Sequence, residues 1–200
     1  MMNQFGKDGG LYDLTDLIDE YGPTLKENLA ASLPYGVSEG HQWTTPAVRT
    51  QAGWQTTYIR KDWLDMYGLE EPKTMEDIYN ILEQFLVQDP GGNGEGKTVG
   101  LVIDPEIAGD SGGSYMANNI FTLYGAFPKQ WIDDGSGNAI YGSVQPEMKG
   151  ALEQLSKMYN EGLIDKQFVT RTGDDRKGLL NSGKSGAFFG NWWGAWEVAD

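Results

Sequence analysis

Two long helical patterns, each followed by a short apolar run, constrain this 200-residue chain more than any other feature. Met75, Ile78, Tyr79, Leu82, Phe85 and Leu86 recur at three- and four-residue steps, the period of one helix face. Met148, Ala151, Leu152, Leu155, Met158 and Tyr159 do the same. Thr74 with Asp77 three positions on is a capping-box start, and Gly162 is a stop for the second pattern. Val99–Ile103 and Gly186–Phe189 read as strands. Helices interleaved with short strands define an α/β chain.

The remaining segments fit that class. Leu11, Leu14, Leu17, Ile18 and Tyr21 mark a helix that Asp13 or Thr15 can cap, and Gly22-Pro23 ends it. A second short helix is expected over Leu25–Leu33. Residues 41–59 read as two extended pieces joined around Gly53, and residues 60–69 as a short helix stopped by Gly68. Tyr115–Tyr124 reads as helix, 131–143 as a hairpin around DDGSGN, and 174–182 as a short helix.

Charge and composition exclude several functions. With 15 Lys+Arg against 29 Asp+Glu the formal net charge is −14, which disfavours phosphate-backbone and anionic-membrane binding. No run reaches the roughly 18 apolar residues of a membrane span. The absence of Cys removes disulfides and thiolate chemistry, and a single His41 removes any two-His metal site. Seven Trp, ten Tyr and seven Phe alongside 28 Gly fit a core, and equally a binder of neutral ligands with apolar faces and polar edges.

Four features invite chemistry. GLLNSGKS (178–185) matches the phosphate-loop pattern, but a polar segment leads in and a strand-like segment leads out. A nucleotide site using Gly183, Lys184 and Ser185 would need a helix from Ser185. DPGGNGEGKTVG (89–100) resembles a calcium loop with Asp89, Asn93 and Glu95 as oxygen donors, but Gly91, Lys97 and Gly100 stand at ligand positions. The pairs Glu70-Glu71, Asp133-Asp134 and Asp174-Asp175 sit in turn or cap contexts. A glycoside-active enzyme would need two carboxylates about 5–10 Å apart across a cleft. GKSGAFFGNWWGAW (183–196) places Trp192, Trp193 and Trp196 directly after a strand, where ligands of open α/β sheets bind.

The order of these segments resembles the extracellular solute-binding proteins of bacterial ABC sugar importers, the maltose-binding-protein-like family. The resemblance rests on HQWTTPAVRTQAGWQTTYIRKDWLDMYGLEEPKTMEDIYNILEQF (41–85), with Tyr58, Arg60, Lys61, Asp62, Leu64, Gly68, Pro72, Thr74, Glu76 and Asp77 in the family pattern. Gly125-Ala126, the EGLID end of the 146–161 helix and the Trp-rich turn follow in family order. The likeness is greatest to the oligosaccharide-binding lipoproteins of Gram-positive bacteria, which often carry the acidic calcium loop whose ligands are depleted here.

The resemblance implies an incomplete two-lobe, periplasmic-binding-protein-like α/β fold, mostly the C-terminal lobe. Residues 1–52 would be a remnant of the N-terminal lobe with exposed apolar surface, 53–57 a hinge crossing, and 58–200 most of the C-terminal lobe. It implies a non-catalytic protein holding an oligosaccharide between the lobes and presenting it to an ABC permease, without cofactor or nucleic acid. The parent protein would be an extracellular, cell-surface lipoprotein, touching the membrane only through a lipid anchor absent from these 200 residues. By position, Trp192, Tyr115 and Trp54 match cleft aromatics. Trp43, Trp193 and Arg60 are further candidates, Arg60 for a sugar hydroxyl or a uronate carboxylate.

Overall fold

The computed structural model describes residues 2–47, 55–110 and 112–198, with the backbone alone for Met2 and Glu197. The chain divides into two compact units, Met1–Ala52 and Gly53–Asp200.

The first unit holds helices α1 (Met2–Lys7), α2 (Thr15–Tyr21) and α3 (Pro23–Asn28) and a hairpin of β1 (Val37–Ser38) and β2 (His41–Gln42). Asp13 starts α2, accepting from the Thr15 N–H at 3.0 Å and the Thr15 hydroxyl at 2.6 Å. The helix expected over Leu25–Leu33 begins earlier and ends at Asn28, because Pro23 supplies a favoured first-turn residue. Among the described residues of this unit Ile18 alone is a buried large hydrophobe, while Phe5, Tyr12, Tyr21 and Tyr35 are exposed.

The second unit is built on β3 (Gln55–Ile59), which pairs antiparallel with β6 (Ala187–Asn191). On the other side, β6 and the residues leading into it meet residues 99–102 through parallel bridges Val102↔Phe188 and Val99↔Ser185. These residues in turn meet Ile164 through Leu101. The expected 99–103 strand is therefore present as a string of bridges. Its N–H groups alternate between Lys184 and Ala187 on one side and Leu163 on the other, so neither partner ladder runs long. All five residues of β6 are buried, as its central place requires.

Around this sheet lie α4 (Lys61–Tyr67), α5 (Met75–Gln88), α6 (Asn118–Leu123), α7 (Glu147–Asn160) and α8 (Gly173–Asn181), with a hairpin of β4 (Trp131–Asp133) and β5 (Ala139–Tyr141). The Thr74–Asp77 capping box opens α5 as expected, and a second box, Thr172–Asp175, opens α8. Gly68 and Gly162 take φ values of +62° and +84°, the left-handed conformation that stops α4 and follows α7. One sheet face buries Leu82, Ile103, Ile120, Phe121, Met158 and Phe189. The other carries Val102, Tyr115, Leu179 and Phe188. Trp63 and Phe85 form a third cluster, edge to face at 5.0 Å. No described helix is long and apolar enough to cross a membrane.

Candidate functional site

The three late tryptophans lie where β6 ends. Tyr58 on β3 and Phe188 on β6 stack at 4.7 Å with an interplanar angle of 11°. Gly190 and Gly194 both lie against this ring pair; a Cβ added at Gly194 would sit 3.0 Å from Tyr58. The missing side chains let the chain fold back over the rings in a turn. Tyr58 Oη donates to the Asn191 carbonyl at 2.7 Å and fixes that turn.

The turn presents Trp192 with 44% of its surface exposed and Trp196 with 69%, while Trp193 is half-buried. Trp193 and Trp196 both meet Trp192 edge to face, at 5.3 and 5.4 Å with angles of 89° and 81°. Edge-to-face contacts hold a ring in place while leaving a face free. The arrangement can stack the apolar face of a ring-shaped ligand. The three indoles themselves offer neither a nucleophile nor an acid–base group.

The other sequence candidates scatter. Tyr115 is at the same end of the sheet but only 3% exposed, packed on Phe188 at 5.4 Å. Its N–H donates to the Phe189 carbonyl at 2.6 Å and its carbonyl accepts from Asp104 N–H at 2.8 Å. Pinned on both sides, with φ of +68°, it packs its ring into the core. Arg60 stands apart from the Trp192 turn. It follows the far end of β3, where its N–H donates to Gly186, whereas Gln55 at the near end faces Asn191. Five strand residues, about 16 Å, separate it from the Trp192 turn. Its guanidinium forks onto Asp62 at 3.0 and 2.5 Å and covers Trp63 at 4.9 Å, and the Asp62 bond raises its pKa.

Trp43 belongs to the first unit, half-buried against His41 with ring centroids 5.2 Å apart. Trp54 and the 53–54 part of the expected hinge crossing lie outside the described residues.

The calcium-like loop closes on itself. The Asp89 carboxylate accepts from the N–H groups of Asn93 at 3.1 Å and Gly94 at 2.8 Å and from the Thr98 hydroxyl. These bonds, Thr98's foremost, hold its pKa below the ordinary carboxylate value. Asn93 Nδ2 donates to Thr98 Oγ1 at 3.0 Å and the Gly183 carbonyl at 2.9 Å, and Glu95 is exposed. Among the described residues no three His, Cys, Asp or Glu side chains gather into a metal site.

Gly183–Ser185 leads into β6, not into a helix. The N–H groups of Gly183, Lys184 and Ser185 already donate to the carbonyls of Leu180 and Leu179. A phosphate cradle is thereby ruled out. Asp133 and Asp134 accept turn N–H groups, and Asp175 caps α8.

Sequence reasoning missed the polar groups beside the Trp192 turn. Gln55 Nε2 donates to the Gly113 carbonyl at 2.8 Å. Its Oε1, and Oδ1 of its register partner Asn191, are buried acceptors without a donor among the described residues. A cavity of about 720 Å³ beside β3 is lined by Gln55, Thr57, Asn118, Asn119 and Thr122, a run of amides and hydroxyls. The β3–β6 register brings Gln55 to Asn191, and the packing of α6 on β3 brings Asn119 to Thr57.

Comparison with known proteins places this geometry. The family described as bacterial extracellular solute-binding protein matches residues 1–200. The polygalacturonan/rhamnogalacturonan-binding protein YtcQ of Bacillus subtilis is 28% identical over 137 residues, 68% of this chain and 26% of YtcQ. The fructooligosaccharide ABC transporter substrate-binding protein FusA of Streptococcus pneumoniae is 28% identical over 184 residues, 84% of this chain and 32% of FusA. A solved structure of FusA, an EF-hand mutant in complex with fructo-nystose, superposes with a TM-score of 0.73 at 24% identity. It covers 98% of this chain and 42% of that one. The chain thus spans between a quarter and a third of the length of these curated relatives.

Proposed function

We propose, from the premise that this chain belongs to the bacterial extracellular solute-binding protein family with its mixed α/β periplasmic-binding-protein-like fold, that it is the oligosaccharide-binding component of an ABC transporter. It binds reversibly and breaks no bond. The observation that carries this is the half-exposed Trp192 ring, braced by Trp193 and Trp196 at the end of a buried strand. A rigid indole face is suited to the apolar face of a sugar ring. Gln55 and Asn191 stand beside it with buried acceptors suited to hydroxyl donors, whose loss discriminates strongly between ligands.

In this reading residues 1–52 contribute to one lobe, 53–57 cross between lobes, and 58–200 form most of the second. The division of the chain after Ala52 supports that assignment. Closure about the crossing would enclose the sugar and present the closed form to a permease. A lipid-anchored extracellular location for the whole protein fits the same reading. The names of YtcQ and FusA support an oligosaccharide ligand, acidic for one and neutral for the other.

The test is calorimetric titration with fructo-oligosaccharides and oligogalacturonides, with Trp192→Ala as partner. Saturable binding to one class, weakened about tenfold or more in the variant, is expected, since base- or ring-stacking on an aromatic contributes about 1–3 kcal/mol. Unchanged affinity in Trp192→Ala would remove this ring from the site.

A further inference from the structure

The two motifs left without a role, the degenerate calcium loop and the phosphate-loop pattern, converge in space. Val99 N–H donates to the Lys184 carbonyl at 2.8 Å, and Asn93 Nδ2 to the Gly183 carbonyl at 2.9 Å. Gly91 lies so close that a Cβ there would be 2.1 Å from the Gly183 carbonyl oxygen. Lys97 and Lys184 therefore project from two loops locked to one another.

A third segment, residues 161–171, completes a cavity of about 610 Å³ lined by Lys97, Lys166, Arg171 and Lys184. Its two carboxylates are already engaged. Asp165 accepts from Arg171 Nε at 2.7 Å, and Glu161 from the Tyr79 hydroxyl at 2.6 Å. Lys166 Nζ donates to the carbonyls of Tyr159 and Asn160 at the end of α7, keeping its charge at the rim. Lys97 and Lys184 are exposed and make no ion pair among the described residues. The floor is apolar: Leu86, Val99, Ile164 and Leu179.

Four cations against two carboxylates form a positive hollow in a chain of net charge −14. Like charges gathered this way repel unless an anion neutralises them. Lys184 precedes β6 and Trp192 follows it, so the hollow is at the opposite end of that strand from the tryptophans.

We infer that this cavity, formed by the 96–99, 161–171 and 184 segments, is a second ligand site, for a small organic anion bearing a phosphate-type group on an apolar body. Lys97 and Lys184 supply the charge-assisted donors, and the apolar floor receives the body of the ligand. The site is independent of the sugar reading and stands or falls separately.

The test is an amide NMR titration with phenyl phosphate at low ionic strength, where surface charges are least screened. Inorganic phosphate and sodium chloride of matched ionic strength are the comparison arms. Saturable shifts centred on residues 96–99, 163–167 and 183–185 are expected, with phenyl phosphate tighter than inorganic phosphate and chloride without effect. In Lys97→Gln/Lys184→Gln, two exposed positions whose change leaves the core alone, affinity falls about tenfold or more. Equal response to chloride, unchanged affinity in the double variant, or shifts centred elsewhere would each overturn the inference.

Discussion

Tyr58 Oη donates to the main-chain carbonyl of Asn191 at 2.7 Å, while the Tyr58 ring stacks on Phe188. One residue of β3 thus sets both the packing beneath β6 and the path of the chain into Trp192. Tyr58→Phe keeps the stack and removes the bond. A loss of about 1 kcal/mol in urea unfolding is expected, with a changed tryptophan emission from the 192–196 turn. Unaltered emission and stability would show that the turn holds itself.

Gly186 is packed edge-on against Trp63. A Cβ at this position would sit 2.4 Å from Trp63 Cε3 and 3.0 Å from Phe85 Cε2. Trp63 is buried on α4 and cannot swing into solvent without opening its cluster. Gly186→Ala is expected to cost about 1–3 kcal/mol by overpacking, read as a lowered urea midpoint with an unchanged slope.

Asp104 and Arg176 form an ion pair of 2.6 Å beneath Tyr115, with Arg176 over the Tyr115 ring at 5.3 Å. Arg176 also donates to the Arg171 carbonyl at 2.8 Å. Asp104→Ala leaves a guanidinium nearly enclosed and uncompensated. The expected loss is about 2–3 kcal/mol, below the value for a fully buried pair because Asp104 keeps some contact with water. Arg176→Met/Asp104→Leu should recover most of it, which thermal unfolding of the three proteins would measure.

Asp13 makes the first unit acid-sensitive. The Thr15 hydroxyl, the Thr15 N–H and then His41 Nδ1 bond its carboxylate and lower its pKa from 3.8 to about 2. A carboxylate more acidic folded than unfolded stabilises the fold above the unfolded value, and that contribution is lost as pH falls through the folded value. The loss is therefore expected between about pH 4 and pH 2. Asp13→Asn should flatten it, as read from the Thr15 and Gln42 amide resonances during acid titration.

Much of the fold is legible in the residues. Thr74 with Asp77, Gly68, Gly162 and the apolar stripes of α5 and α7 are local signals, and local signals survive folding. The Trp192 turn was legible for a related reason: three indoles crowded after an apolar run require small residues around them, and Gly190 and Gly194 are there. Where Arg60 and Tyr115 lie was not legible, because position along the chain says little about side. Antiparallel pairing sends Arg60 to the far end, and backbone bonds to Phe189 and Asp104 pull Tyr115 inward. Gln55 beside Asn191, and Lys97 beside Lys184, join positions more than 80 residues apart, and no periodicity encodes such neighbours.

The burial of β6 along its whole length has a consequence for recognition. A strand flanked on both edges and covered on both faces is among the last parts of a domain to open, so its amides should exchange with solvent slowest. Trp192 is carried directly by that strand. In the proposed sugar site, edge-to-face contacts with Trp193 and Trp196 would leave its indole little conformational freedom to surrender on contact.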